Sequence, residues 1–346
     1  MNFKMLLSAA AFSIAGLSAP ATAAERIIFN CFFPPQHYAC TQWAPELKNR
    51  IEAATEGRVK VNIPPKSLSA PPDQYDGVVG GVMDGAFQFN AFIANQVPGV
   101  QFSLLPFAGA LEAEAAGPAL WTTYQKFFGD KNEYGDAVII SFVTSNGSEI
   151  YSMTDTPIET AADIGGRKMW GLPGVVANTL KGTGSPVVAG PAVQMLEIIS
   201  KGVVDGYAGV PWSSVASFKL IDYTTSATLL DGKLFQPTFS VIISRAKWEK
   251  ISEEDQQAIL AATGADFGKW AGAVQDSFNA KGRAAAEAGG VAVVQGSAEL
   301  EAELRALGQP MVDAWIAQVA EMGVDGQEVL DFYQAEIAKY RAEIGQ

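Results

Sequence analysis

The chain has 346 residues, of which 48% are hydrophobic and 18% are charged, and its formal net charge is −13. An acidic balance of this size argues against nucleic acid and against anionic membrane faces as partners, because both carry negative charge. His37 is the only histidine, and the two cysteines do not form a Cys-x-x-Cys motif. We therefore expect neither a metal site nor a cofactor.

The first 23 residues have the pattern of a targeting segment. Lys4 supplies a positive charge, an apolar run covers residues 5–17, and small residues at 21–23 form a cleavage site. The run is shorter than the roughly 20 residues that a membrane span needs. We predict a signal peptide over residues 1–23, cleavage near Ala23 and export to the periplasm; an uncleaved anchor is the alternative.

Strands and helices alternate along the next part of the chain. Residues 26–33 are rich in β-branched and aromatic side chains, which is typical of a strand. Apolar residues with helical spacing predict a helix over residues 39–57, which ends at a glycine. The same criteria predict strands at 58–65, 86–92 and 136–145, and a helix at 73–85.

Cys31 and Cys40 are the only cysteines, and they flank the turn after the first predicted strand. In an oxidising compartment two cysteines at this separation can form a disulfide, which would fix the turn. Two buried free thiols are the alternative.

The second half continues the alternation and ends in helices. The patterns predict strands at 167–172, 185–189, 204–211 and 235–245, and helices at 174–184, 192–202, 252–287 and 298–342. Ser252 and Asp255 resemble a capping box at the start of a helix. Alternation of this kind favours an α/β sandwich with a mostly parallel sheet. A chain that crosses between two lobes more than once suits a hinged binder that closes on a ligand.

Two segments, residues 146–174 and 194–212, carry the most specific pattern. The first contains a Pro-Ile turn and then Asp-x-x-Gly-x-Lys, and the second contains Gly-Val-Val-Asp-Gly. In order and spacing they resemble the solute-binding proteins of TRAP (tripartite ATP-independent periplasmic) transporters. The resemblance covers essentially the whole mature chain and is strongest at 147–222.

The resemblance implies an α/β, two-lobed periplasmic-binding-protein fold with mixed sheets, hinge crossings and long C-terminal helices. Residues 24–146 plus 236–275 would form the first lobe, and residues 147–235 plus 276–346 the second. It also implies a small-molecule solute as ligand and delivery of that solute to a small and a large membrane subunit. We expect the protein itself to be a monomer.

The chain departs from the family at positions that usually bind ligand. Two arginines of the family pattern commonly clamp a substrate carboxylate, and here those positions hold Glu149 and Trp170. Arg167 lies on the same predicted strand as Trp170 but, by the period of two, on the opposite face. The family's asparagine that follows this chain's Gly206 by a few residues is also absent. These departures indicate a subgroup that lacks the usual carboxylate-binding arginines.

An acid and an aromatic at these positions suggest an amine ligand. A ligand ammonium would compensate the charge of Glu149, and the face of Trp170 would attract the same cation. We therefore predict a small cationic or zwitterionic solute of the ethanolamine, choline or betaine kind. The predicted ligand-binding residues are Glu149, Trp170, Trp212, Tyr207, Phe89, Asn90, Phe33, His37 and Tyr38.

Each of these assignments has an alternative. Glu149 could face solvent or pair with Lys168 or Arg167, and Trp170 could be wall packing. His37 could be an exposed loop residue, and Asn90 could cap a turn. One of the adjacent residues Phe32 and Phe33 would face the core.

Two other functions compete with an amine receptor. Within the same family, a monocarboxylate or sulfonate could be held by backbone amides and by hydroxyls of Ser145, Thr144 or Ser213. A secreted hydrolase is the remote alternative, because the chain has no Gly-x-Ser-x-Gly elbow and no phosphate-binding glycine motif. We expect a binding protein rather than an enzyme.

Overall fold

The computed structural model describes residues 24–109 and 111–346 of the chain. The predicted signal peptide, residues 1–23, lies outside the described residues. Within them the strands form one sheet of five and one sheet of six, and helices pack against both. None of the helices in this part combines the length and hydropathy that a membrane crossing requires.

The first sheet contains strands β1 (Glu25–Asn30), β2 (Val59–Asn62), β3 (Gly85–Phe89), β4 (Ala137–Thr144) and β10 (Thr238–Ser244), numbered in chain order. Their spatial order is β2–β1–β3–β10–β4. β1 runs parallel to β2 and β3, whereas β10 runs antiparallel to β3 and β4. Every residue of β3 and β10 is buried, as expected for central strands that are covered on both faces.

The second sheet has the order β11–β9–β5–β8–β6–β7. Its strand β5 runs antiparallel to β8 and β9, and the remaining pairs are parallel. Both sheets are therefore mixed, which confirms the expectation drawn from the family resemblance. The strands are β5 (Ile150–Ser152), β6 (Met169–Gly171), β7 (Val187–Ala189), β8 (Gly206–Ala208), β9 (Ser226–Leu229) and β11 (Ala292–Gln295).

Twelve α-helices occur in the described residues, and the longest three lie toward the C-terminus. The helices are α1 (Ala44–Ala54), α2 (Gln74–Val79), α3 (Ala113–Phe128), α4 (Ala161–Gly165), α5 (Val175–Gly182), α6 (Met195–Ser200), α7 (Trp212–Ser217), α8 (Arg245–Trp248), α9 (Glu253–Ala262), α10 (Gly264–Ala288), α11 (Ala298–Ala320) and α12 (Gly326–Glu343).

The helix predicted over residues 252–287 is two helices. Ser252 caps α9, because its side chain accepts a hydrogen bond from the Asp255 N–H. The break falls at Thr263 and Gly264, where Gly264 adopts a φ of +39° that favours glycine. The helix predicted over residues 298–342 is likewise divided into α11 and α12.

Several elements were not predicted from the sequence, and most of them are short. Strands β5, β9 and β11 have only three or four residues, which is too short to show an alternation in the sequence. Helix α3 was missed because it is apolar on most sides, with Pro118 inside it. Helix α7 has only six residues.

Two antiparallel crossings connect the sheets and lie side by side. Residues 145–149 lead from β4 to β5, and residues 233–237 approach β10. The Ser145 N–H donates to the Pro237 carbonyl at 2.8 Å, and the Ser148 N–H donates to the Phe235 carbonyl at 2.8 Å. Helix α10 also spans both regions, since it packs against α3 and β4 and against α7.

The lobe boundaries stay a prediction. Residues 276–346 were assigned to the second lobe. Helix α12 lies in this range, but it packs against α3, which lies in the range of the first lobe. Tyr333 of α12 lies 4.9 Å from Phe102, measured between ring centroids, in a cluster with residues of the first sheet.

Candidate functional site

A cavity lies where the two sheets face each other. It is narrow and opens to solvent at its mouth. Residues from both sheets and from both crossings contribute to its wall. The lining residues are Phe32, Phe33, Tyr38, Pro71, Phe89, Phe92, Ser145, Leu172, Pro191, Ala192, Val193, Val210, Pro211, Ser214, Phe218, Pro237 and Phe239.

One part of the wall is aromatic. The rings of Phe32 and Phe33 are stacked with centroids 4.2 Å apart. Phe239 lies 5.6 Å from Phe33 and 5.3 Å from Phe89. A flat apolar ring can pack against such a surface by stacking and edge contacts.

Another part of the wall carries neutral hydroxyl groups. The hydroxyls of Tyr38 and Ser145 lie 3.5 Å apart, and Ser214 also lines the cavity. Behind them the Gln275 amide donates to the Ser213 hydroxyl at 2.7 Å. Burial raises the pKa of Tyr38. Hydrogen bonds with the side chains of Ser145, Ser213, Ser214 and Gln275 lower this pKa, but by less. The phenol therefore stays protonated and can donate a hydrogen bond.

Among the described residues that line this cavity, none is a lysine, arginine, aspartate or glutamate. The site thus offers apolar surface and neutral hydrogen-bond donors but no fixed charge at its wall. Across residues 24–109 and 111–346 no group of three His, Cys, Asp or Glu side chains could hold a metal ion.

Three of the predicted site residues line the cavity, namely Phe33, Phe89 and Tyr38. His37 lies directly behind this wall, 2% exposed, with ring centroids 4.3 Å from Phe33 and 4.0 Å from Tyr38. Its Nδ1 accepts the Ala39 N–H at 3.2 Å, and burial lowers its pKa to about 3. The imidazole is therefore neutral, and His37 is not an exposed loop residue.

Glu149 is only 5% exposed and does not line the cavity. Its two carboxylate oxygens accept hydrogen bonds from the Lys233 ammonium at 2.7 and 2.9 Å. Burial raises the pKa of Glu149, and Lys233 lowers it by less. Glu149 has its cation within the protein, so the electrostatic reason for an amine ligand is removed.

The alternative partners proposed for Glu149 are not the residues that pair with it. Arg167 donates to the Thr156 hydroxyl at 2.7 Å and to the Asp163 carbonyl at 3.1 Å. The backbone N–H of Lys168 donates to Asp205. The pairing with Lys168 or Arg167 is therefore wrong, and the partner of Glu149 is Lys233, which lies 84 positions away in the chain.

Trp170, Tyr207 and Trp212 pack inside the second lobe. In the sheet register Trp170 lies beside Tyr207, which lies beside Tyr151, and the two tyrosine rings stack 4.6 Å apart. Trp212 meets Tyr151 edge-on at 5.1 Å. All of these side chains are at most 1% exposed, and none of them lines the cavity.

Asn90 is buried and supports the crossing into the first sheet. Its amide donates to the Thr238 hydroxyl at 2.9 Å, and its carbonyl oxygen accepts the Ser240 hydroxyl. It does not line the cavity.

Other lining residues were missed by sequence reasoning. Phe239 follows the crossing residue Pro237 at the start of β10, and this position beside a hinge is the signal that could have identified it. Phe92 lay within a predicted strand, whereas Leu172 and Phe218 carry no signal of their own.

Cys31 and Cys40 form a disulfide, and their Cα atoms are 5.7 Å apart. The alternative of two free thiols is therefore wrong.

A family model described as bacterial extracellular solute-binding protein, family 7, matches residues 33–318. The chain belongs to this family. A relative from Comamonas testosteroni, described as outer membrane transporter protein TsaT, is 33% identical over 342 residues, which is 99% of this chain and 100% of that protein.

Solved structures of the same family superpose closely. A TRAP solute-binding protein from Bordetella bronchiseptica with bound (R)- and (S)-mandelate has a TM-score of 0.85 and 27% identity over 91% of this chain and 99% of that chain. A marine metagenome protein specific for aromatic acids, with 3-hydroxybenzoate, has a TM-score of 0.81 and 28% identity over 92% and 99%. A protein from Rhodoferax ferrireducens with copurified benzoate has a TM-score of 0.80 and 26% identity over 93% and 99%.

The family match confirms the two-lobed α/β fold and the TRAP type of receptor. Members of this family are extracytoplasmic receptors that bind small solutes and work with membrane subunits, and they are not enzymes. The ligands of the neighbouring structures are organic acids, so the comparisons do not support the amine prediction.

Proposed function

We propose that this receptor captures a small aromatic monoanion, a carboxylate or a sulfonate, in the cavity between its sheets. The observation that carries the proposal is the composition of the cavity wall. It combines stacked phenylalanines with a cluster of neutral hydroxyls, and it has no ionised side chain.

The aromatic part of the wall suits the ring of the ligand. Phe33, Phe89 and Phe239 would pack against it, and each apolar Å² removed from water contributes about 25 cal/mol. Ring pairs add roughly 0.5–1.5 kcal/mol beyond the buried area. The apolar side chains of the second lobe, such as Leu172 and Val193, would close over the opposite face.

The hydroxyl part suits the charged group. Tyr38, Ser145 and Ser214 can donate to carboxylate or sulfonate oxygens, and hydrogen bonds to charged groups contribute roughly 1.5–3 kcal/mol each. Two or three such bonds with a buried ring are sufficient for binding near 1 μM, which corresponds to about −8 kcal/mol.

A cationic ligand would find no counter-charge at this wall. An ammonium in this cavity would meet hydroxyls and rings without a carboxylate, since Glu149 is already paired with Lys233. The wall holds no cation for a monoanion either, so a bound anion relies on hydrogen bonds from Tyr38, Ser145 and Ser214. The mandelate, 3-hydroxybenzoate and benzoate bound by neighbouring structures support the monoanion.

Further parts of the assignment are also proposals. The absence of arginine from the cavity wall supports a subgroup without the usual carboxylate-binding arginines. We further propose a periplasmic monomer that delivers its solute to a small and a large membrane subunit.

The test is a thermal-shift screen followed by calorimetric titration. Benzoate, mandelate, 3-hydroxybenzoate and benzenesulfonate should raise the melting temperature, because they bind only the folded protein. Choline, ethanolamine and betaine should leave it unchanged. A shift with an amine and none with any aromatic acid would contradict the proposal and restore the amine hypothesis.

A further inference from the structure

The Cys31–Cys40 disulfide closes a loop that carries much of the aromatic wall. Phe32, Phe33 and Tyr38 all lie between the two cysteines, and all three line the cavity. The loop connects β1 to a π-helical turn, Ala39–Trp43, which leads into α1. One covalent bond therefore joins both ends of the segment that contributes these rings.

The rings of the loop form a continuous stack. Phe32 lies 4.2 Å from Phe33, Phe33 lies 4.3 Å from His37, and His37 lies 4.0 Å from Tyr38. Because each ring rests on the next, a change in the backbone at one position would shift the others. Phe218, from the second lobe, extends the stack at 5.5 Å from His37.

Few backbone hydrogen bonds hold the loop in this shape. The His37 N–H donates to the Pro34 carbonyl at 2.8 Å, and the Cys40 N–H donates to the His37 carbonyl at 2.9 Å. Both bonds form turns inside the loop and do not attach it to a sheet. The disulfide is the one covalent constraint on its path, beside the packing of its rings against Phe239 and Trp43.

Phe33 separates the disulfide from the ligand cavity. A surface groove is lined by Cys31, Cys40 and Phe33 together with Pro35 and residues 63–67. Phe33 lines both the groove and the ligand cavity. The disulfide therefore lies on the far side of Phe33, whose ring we propose to contact the ligand.

We propose that the Cys31–Cys40 disulfide is a positioning element of the ligand site, which holds Phe32, Phe33 and Tyr38 in place before the ligand arrives. This inference rests on the proposed assignment of the cavity as the ligand site. A bridge that preorganises a binding loop removes ordering entropy that binding would otherwise oppose. Its removal would weaken binding even where the fold persists.

The test compares the wild-type protein with the Cys31→Ser/Cys40→Ser double variant by calorimetric titration with benzoate. We expect the Kd to rise about tenfold or more, with the loss mainly in the binding entropy, because at least two aromatic side chains must then be ordered. The control is Val329→Ala, which removes buried methyl groups of α12 in the hydrophobic cluster that contains Phe102 and Tyr333. This change lowers stability without touching the loop, so it should leave the Kd unchanged.

A second measurement covers a double variant that does not fold. Dithiothreitol added to the folded wild-type protein converts the bridge into two thiols while the reagent is oxidised. Benzoate affinity should fall in the same way, and amide exchange of residues 32–39 should accelerate.

The outcomes separate the inference from the proposed function. If the wild-type protein binds benzoate and the bridge-free protein binds it within about twofold, the inference is overturned. If the wild-type protein binds no aromatic anion, the proposed function fails instead. Amide exchange of residues 32–39 then decides, and equal rates with and without the bridge would overturn the positioning role.

Discussion

Glu149 and Lys233 form a buried ion pair that joins the two crossings between the sheets. The Lys233 ammonium lies 2.7 and 2.9 Å from the carboxylate oxygens. The side chain of Lys233 is 15% exposed and that of Glu149 is 6% exposed. The pair lies next to the hydrogen bond from the Ser148 N–H to the Phe235 carbonyl. It therefore fixes the register of the crossings on the side of the second lobe.

Replacing Lys233 by methionine should destabilise the protein strongly. The change leaves Glu149 buried without its cation, and breaking a buried pair on one side costs about 3–5 kcal/mol. Burial already raises the pKa of Glu149, and loss of Lys233 would raise it further. A group with a raised folded pKa stabilises below its unfolded pKa and loses this contribution as pH increases through the folded value. The deficit should therefore be larger at pH 8 than at pH 5 in urea unfolding.

A matched control exists on the surface. Lys201 pairs with Glu197 at 2.7 Å, but the side chains are 64% and 70% exposed. Lys201→Met should change the unfolding free energy by less than about 1 kcal/mol. Adding Glu149→Gln to Lys233→Met should recover part of the loss. If Lys233→Met and Lys201→Met reduced the unfolding free energy equally, the pair of Glu149 with Lys233 would contribute no more to stability than an exposed ion pair.

His37 should make stability depend on pH in the acid range. Its pKa is lowered to about 3 by burial, so the unfolded chain takes up this proton at a higher pH than the folded one. The stability is fully present above the unfolded pKa near 6.5 and is lost as pH falls toward 3. Between pH 6.5 and pH 4 the wild-type protein should lose about 3 kcal/mol through this group, at 1.36 kcal/mol per unit.

The His37→Gln variant isolates that contribution. Glutamine does not titrate, and its amide can still accept the Ala39 N–H. Unfolding free energies of both proteins, measured by urea titration from pH 7 to pH 4, should converge as the pH falls. Parallel pH profiles would contradict a buried neutral imidazole, since His37 is the only histidine in the chain.

Sequence patterns predicted the family fold and part of the cavity wall, but not the side chains behind it. Phe33 and Tyr38 were predicted because aromatic residues in a loop after a strand face either a cleft or solvent. Trp170 and Tyr207 are also aromatic residues near strand ends. Only the register of the short strands determines that they are buried in the second lobe and do not face the cavity. Lys233 has no local signal, because its partner Glu149 is brought to it only by the antiparallel pairing of the two crossings.

Removing the Tyr38 hydroxyl should weaken binding of an aromatic acid. Tyr38→Phe keeps the ring that stacks on His37 and deletes the donor that faces Ser145. Loss of one hydrogen bond to a charged group should cost roughly 1.5–3 kcal/mol, which raises the Kd for benzoate more than tenfold. Calorimetric titration measures it.

The control for this change is Tyr333→Phe. Tyr333 is also fully buried, and its hydroxyl has no partner within the described residues. It lies in the cluster that contains α12, away from the cavity, so benzoate affinity should not change. An equal loss in both variants would indicate a general effect of deleting a buried hydroxyl.

Gly147 should not tolerate a side chain. A Cβ at this position would lie 2.2 Å from Cγ and 2.4 Å from Cβ of Lys233, whose stem packs over the glycine. Gly147→Ala should therefore reduce the unfolding free energy by about 1–3 kcal/mol, because the crossing must move. Gly190→Ala, where the nearest atom would be 3.8 Å away, should be close to neutral in the same urea titration. In a Lys233→Ala background the Gly147→Ala effect should shrink, and additive effects would exclude this contact as the cause.

The uncharged wall should make the receptor discriminate against a second negative charge. Terephthalate carries a carboxylate at each end of its ring, so one group can reach the hydroxyls of Tyr38 and Ser145 while the other meets phenylalanines. A buried charge without a partner costs several kcal/mol, so terephthalate should bind at least about 100-fold more weakly than benzoate. Methyl terephthalate, with the second acid esterified, separates charge from size and should recover part of the affinity. Terephthalate binding as tightly as benzoate would require a cation at the wall, in conflict with the cavity as described.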